Sequence, residues 1–214
     1  MGRIAIAVAL SVYVGSVGMV DAAKSGPCRP STSGLSVAMA DTFGFAYRCR
    51  GLAQTFEASD SAMTALTVWS PPRDNVDFQP RTLFILGTFP SGEPNQFDVI
   101  YGPDPLVVPD VTPGAPIAYH YAFDPPIMLP GPGKYALVIQ ASDFNGYGMA
   151  AVRHDTYPGG MLCVTGPIFG CTQPGGARCD AYPGWDMCFE VEFCSDGTVA
   201  TRKHTWGVLK MLYR

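Results

Sequence analysis

Charge is scarce in this chain. Only 15% of its 214 residues are Asp, Glu, Lys or Arg, and the formal net charge is −4. Without a basic excess there is no electrostatic footprint for nucleic acid or an anionic lipid surface, so neither is expected as a partner. Histidine is scarcer still, with only His120, His154 and His204. There is no Gly-x-Ser-x-Gly, which removes the usual sign of a hydrolase nucleophile elbow. There is no Cys-x-x-Cys either, the spacing on which zinc knuckles depend. Long helix-compatible stretches are missing too. With 20 Pro and 24 Gly, long helices are not expected before residue 196.

Only one long apolar run is present. Arg3 gives a basic start, residues 4–20 carry no charge, and small residues follow, ending in Asp21-Ala22-Ala23. That order predicts a secretory signal peptide over 1–23, cut after Ala22 or Ala23. The competing reading is a membrane anchor. The run is at the lower edge of the roughly 17–25 residues a span needs, and Gly15, Ser16 and Gly18 weaken it as a helix. Cleavage takes Arg3 and Asp21 together, so the net charge would stay at −4. The expected location is secreted, periplasmic or cell-surface, with membrane contact only through an uncleaved signal segment.

All 7 cysteines follow that segment, at positions 28, 49, 163, 171, 179, 188 and 194. In an exported chain such cysteines are expected to pair as disulfides. Seven is odd, so at least one thiol is free or joins another molecule. Cys171–Cys179 is the pair singled out for one bridge.

Residues 24–42 are small and polar and read as a flexible lead-in. From 43 to 195, short β-type runs alternate with Pro/Gly turns. Strands are expected at 52–58, 62–69, 82–88, 97–101, 117–123, 134–140, 149–153 and 187–194. Many short strands between such turns predict an all-β fold, an antiparallel β-sandwich. The last run carries the clearest pattern. Phe189, Val191 and Phe193 alternate with Cys188, Glu190, Glu192 and Cys194. A period of two puts the rings on a buried face and the glutamates, with both cysteines, on an outer wet face. The 82–86 stretch is apolar on both faces, as a central strand would be.

Five segments in order carry a resemblance. They are Leu52-Ala53-Gln54-Thr55-Phe56-Glu57-Ala58, Pro125-Pro126-Ile127-Met128-Leu129, Gly133-Lys134-Tyr135-Ala136-Leu137, Asp155-Thr156-Tyr157-Pro158-Gly159-Gly160 and Trp185-Asp186-Met187-Cys188-Phe189. Together they resemble secreted bacterial jelly-roll proteins of unknown function, similar to carbohydrate-binding modules, over about residues 50–194. The resemblance implies a sandwich and points toward glycan binding. The chain departs from the pattern between Tyr157 and Trp185, where Cys163, Cys171 and Cys179 sit in a Gly-rich insertion. The tail 196–214 ends in Thr205-Trp206-Gly207-Val208-Leu209-Lys210-Met211-Leu212-Tyr213-Arg214 and resembles a terminal tail of exported bacterial proteins. It is expected to form a short C-terminal helix with Trp206, Leu209 and Tyr213 on one face. Packing on the sandwich and sorting are both open for it.

Candidate chemistry is thin. His154-Asp155 are adjacent, and neighbours on an extended strand point to opposite faces, so they do not orient one another. Glu190 and Glu192 lie about 7 Å apart by strand rise, inside the range of a glycosidase pair, yet alternate outward glutamates are usually a solvated face. Asp155 and Asp186 at strand ends are candidate ligands for a structural calcium ion, or else turn caps. Sugar binding needs exposed rigid rings beside polar groups. Among Trp69, Tyr119, Tyr121, Tyr147, Tyr157 and Trp185, the preferred ligand-binding residues are Tyr147, Tyr157 and Trp185, because they lie in loops or at strand ends. The expected function is a non-catalytic binding or cell-surface role with a glycan or surface component as partner. The rivals are a secreted hydrolase on the same scaffold and a structural or assembly subunit.

Overall fold

The fold is described from a computed structural model, which covers residues 29–46, 50–72, 81–105, 114–141, 147–154, 156–166, 176–182 and 184–195. Its strands are β1 (Arg29–Leu35), β2 (Thr42–Ala46), β3 (Gly51–Ala58), β4 (Ala62–Ser70), β5 (Arg81–Thr88), β6 (Pro94–Pro105), β7 (Ile117–Met128), β8 (Gly133–Ala141), β9 (Tyr147–Val152), β10 (Leu162–Gly166), β11 (Gly176–Ala181), β12 (Asp186–Met187) and β13 (Phe189–Ser195). One 3-10 turn, Val37–Met39, lies between β1 and β2. The fold is all-β and antiparallel, as the sequence pattern required.

Three sheets form, ordered β1-β13-β4-β7, β11-β10-β3-β8-β5-β6 and β12-β9-β2. Side chains from all three meet in one core. Phe56 on β3 lies 6.3 and 6.4 Å from Phe189 and Phe193 on β13, so aromatic contacts bridge the layers. Met149 on β9 and Leu137 on β8 belong to the same cluster. Phe189, Val191 and Phe193 have no exposed surface, while Glu190 is exposed and Glu192 half-buried. This is the alternation read from the sequence. The six-stranded sheet is also buried on its other face, where Ala53, Phe84, Leu86, Ala136, Val138 and Cys163 cluster. That explains why 82–86 is apolar at every position.

Three expectations change. The described part of the 24–42 lead-in is ordered structure. Its residues 29–35 are β1, paired with β13 from Arg29↔Ser195 to Leu35↔Phe189. Glycine matters here, because a side chain on Gly34 would run into the carbonyl oxygen of Phe189. Cys179 pairs with Cys163 rather than with Cys171, since β11 returns antiparallel along β10 and brings their Cα atoms to 5.4 Å. Cys171 lies outside the described residues. Cys194 is disulfide-bonded as well. Cys188, expected on the wet face, is a buried free thiol. It joins Leu35, Ala150 and Val152, with Val37, Ala40, Phe43 and Trp69 packed around them. Sheet β12-β9-β2 and the 3-10 turn thus cover one end of the β13 outer face. The signal segment 1–23 and the tail 196–214, with its expected helix, lie outside the described residues.

Candidate ligand-binding face

Three of the five segments behind the resemblance meet in a buried polar knot. Asp186, 1% exposed, accepts hydrogen bonds from the amides of Thr156 (3.2 Å) and Tyr157 (3.0 Å) and from Gln54 Nε2 (3.1 Å). Gln54 Oε1 accepts from the Met187 amide at 2.6 Å, and its Nε2 also donates to the Thr55 carbonyl. Gly160 is required beside them, because a side chain there would collide with Gln54, Tyr157 and Asp186. The carboxylate therefore caps the 156–160 turn. Its oxygens face N–H donors, the opposite of a cation site, so Asp186 does not fit the calcium role expected of it. Asp155 lies outside the described residues. Among the described residues no three His, Cys, Asp or Glu side chains converge as metal ligands do.

The preferred aromatic residues separate. Tyr147 is not a ligand-facing ring. It is 1% exposed, its hydroxyl donates to the Ile139 carbonyl, and it accepts from the Leu52 amide at 2.9 Å. Tyr147 stands at the start of β9, and the strand carries its ring into the core. Tyr157 is half-buried. It packs edge-on to Phe189 at 5.2 Å, and its hydroxyl is engaged by Ser33 (2.7 Å) and the Glu57 amide (3.1 Å). It ties β1 and β3 to the turn, which is a structural role. Trp185 is half-buried and stacked on Tyr182 at 4.8 Å and 20°. The Tyr182 hydroxyl bonds both the amide and the carbonyl of Phe45, closing part of the outer edge of β2. Trp185 thus remains near the surface, supporting that edge.

A different face offers concavity. Cross-strand register on the four-stranded sheet aligns Gly34, Glu190, Thr67 and His120 in one row, and Thr32, Glu192, Ala65 and Ala122 in the next. Strand alternation points these side chains away from the core. Thr67 Oγ1 and His120 Nδ1 are 2.9 Å apart. Beside the first row lies a cavity of about 220 Å³ lined by Thr32, Ser36, Trp69 and Glu190, among others. Trp69 is half-buried. Its ring packs against the Leu35–Cys188 cluster, and Leu35 also lines the cavity. Burial, followed by the charges of Asp41 and Asp186, pushes the Cys188 thiol up to about 12. The group beneath the indole is therefore a neutral, inert thiol at ordinary pH.

Trp69 is one of the aromatic residues the sequence offers, but it lies outside the three preferred at loops or strand ends. The missed signal was the period of two in β4. Val68 points inward and Thr67 and Trp69 outward, onto the face that carries Glu190 and Glu192. Comparison of the chain with known families, curated proteins and solved structures finds no match.

Proposed function

We propose that the protein is an exported, non-catalytic β-sandwich that binds a glycan or a glycan-bearing surface component on the open face of the β1-β13-β4-β7 sheet. The observation that carries this reading is the Trp69 cavity. It brings Trp69, packed against the Leu35–Cys188 cluster, together with Thr32, Ser36 and Glu190. A flat apolar ring beside a few polar groups is what the two sides of a sugar ring require. Its volume lies below the roughly 300–1,000 Å³ of sites for drug-sized ligands, which suits one saccharide unit of a longer chain. Hydrolysis would need two carboxyls facing across a cleft. Glu190 and Glu192 instead stand side by side on one strand.

The test is binding of the purified protein to soluble and insoluble polysaccharides and to cell-wall material, with Trp69→Ala and Trp69→Phe compared. Saturable binding that Trp69→Ala abolishes and Trp69→Phe partly keeps supports the reading. Binding indifferent to both variants, or none to any glycan, overturns it. Export is tested by N-terminal sequencing of the extracellular protein, which should start at Ala23 or Lys24.

The assembly reading has one observation of its own. Phe97 is 80% exposed on β6, which ends the six-stranded sheet. Mass measurement in solution for wild type and Phe97→Ser decides it. An oligomer that Phe97→Ser dissociates would favour assembly.

A further inference from the structure

The charge on the open face narrows the ligand class, given the glycan reading above. Register and alternation place Glu190, Glu192 and Asp124 on that face. Glu190 and Asp124 are exposed, and Glu190 lines the Trp69 cavity. Opposite them, His120, paired with Thr67, is able to carry positive charge on this face, while Arg29 of the edge strand β1 falls in the inward register row opposite Ser195. Lys134, by comparison, sits on β8 of the other sheet. Three carboxylates against one imidazole repel uronate, sulfate or phosphate groups and attract a cation. The indole adds to this, because the face of a Trp ring attracts an ammonium through its quadrupole. We propose that the Trp69 site selects glycans carrying free, protonated amino groups, with the ring of an aminohexose on Trp69 and its ammonium paired with Glu190.

The experiment compares three oligosaccharide sets of equal length by calorimetric titration: glucosamine oligomers, their fully N-acetylated counterparts and oligogalacturonates. A short lysine peptide serves as the cationic non-sugar. The glucosamine oligomers should bind tighter than the acetylated set by up to about fivefold, the size expected of a rim ion pair. The galacturonates should bind weakest, and added salt should shrink the preference. Glu190→Gln should erase most of the preference, lowering affinity for the glucosamine oligomers more than for the acetylated set. Trp69→Ala should weaken both. Equal affinity for amino and acetylated sugars, with Trp69 still required, overturns the amine selection and leaves the glycan reading standing. Loss of every saccharide interaction overturns both. A lysine peptide that binds as tightly as the glucosamine oligomers overturns the proposal in favour of a basic peptide partner.

Discussion

Replacing Asp186 with Ala is the sharpest test of how this sandwich is held at its 156–160 corner. The carboxylate serves three N–H donors at 3.0–3.2 Å. Gln54 Nε2 retains the Thr55 carbonyl as a second acceptor. The Thr156 and Tyr157 amides have no such substitute in the knot, although Thr156 is exposed and water can reach its side. One to two donors are thus left short. At about 1–3 kcal/mol per orphaned group, Asp186→Ala should lower stability by about 1–6 kcal/mol. Asp186→Asn keeps the shape but sets an amide NH2 against one set of donors. Gln54 cannot simply flip to accept it, because its own oxygen holds the Met187 amide. The Asn variant should therefore fall between wild type and Ala. Urea denaturation with the slope m unchanged measures the difference, and hydrogen exchange at the Tyr157 amide reports the local loss. If Asp186→Ala loses less than about 0.5 kcal/mol, the level of an ordinary surface change, the knot does not hold the fold as argued.

Phe193→Ala removes a fully buried ring that contacts Phe56 and should cost about 3–5 kcal/mol. Glu192→Ala on the same strand should change stability by less than about 0.5 kcal/mol in the same titration. Equal losses from the two would reject the inward and outward assignment of β13. The Cys163–Cys179 bridge, with a sequence separation of 16, should contribute about 3 kcal/mol, measured as the stability lost in the Cys163→Ser/Cys179→Ser double variant. The Cys188 thiol should resist alkylation at pH 8 in the folded protein and react on unfolding, which peptide mapping would show. Its proton is held to about 12 in the fold, against an ordinary 9.0. Stability from this group is therefore full below pH 9 and declines as pH rises toward 12, which denaturation at pH 8 and 10.5 would reveal as a falling midpoint.

Runs with a strong period or a strongly apolar character read correctly as strands. β3, β4, β5, β8 and β13 combine such runs with Pro or Gly at their ends. β1 did not, because Arg-Pro-Ser-Thr-Ser-Gly-Leu has almost no apolar signal. It is a strand because β13 presents a free edge to it, a fact of pairing that no local window contains. β11 was hidden in the same way, in a Gly-rich segment ordered along β10 and bridged to it by a disulfide. For the site, the sequence supplied Trp69, Glu190 and Glu192 as separate observations. Only the β13–β4 pairing makes them neighbours.

By itself, the sequence determined the class: Pro and Gly spacing rules out long helices, and alternation in β13 fixes which side chains are buried, because strand geometry turns a period of two directly into two faces. Tertiary structure decided where partners from distant segments fall. Tyr147 is core rather than surface because its side chain reaches across to β3 and β8, where its hydroxyl finds Leu52 and Ile139. Asp186 is a turn cap rather than a cation ligand because Gln54, 132 residues away, and the 156–160 turn aim N–H groups at it. Cys188 is buried although its strand face is otherwise wet, because β9 and the 3-10 turn cover that end. Each outcome depends on which elements pack together, and side-chain contacts between them are set by topology and register, not by local pattern.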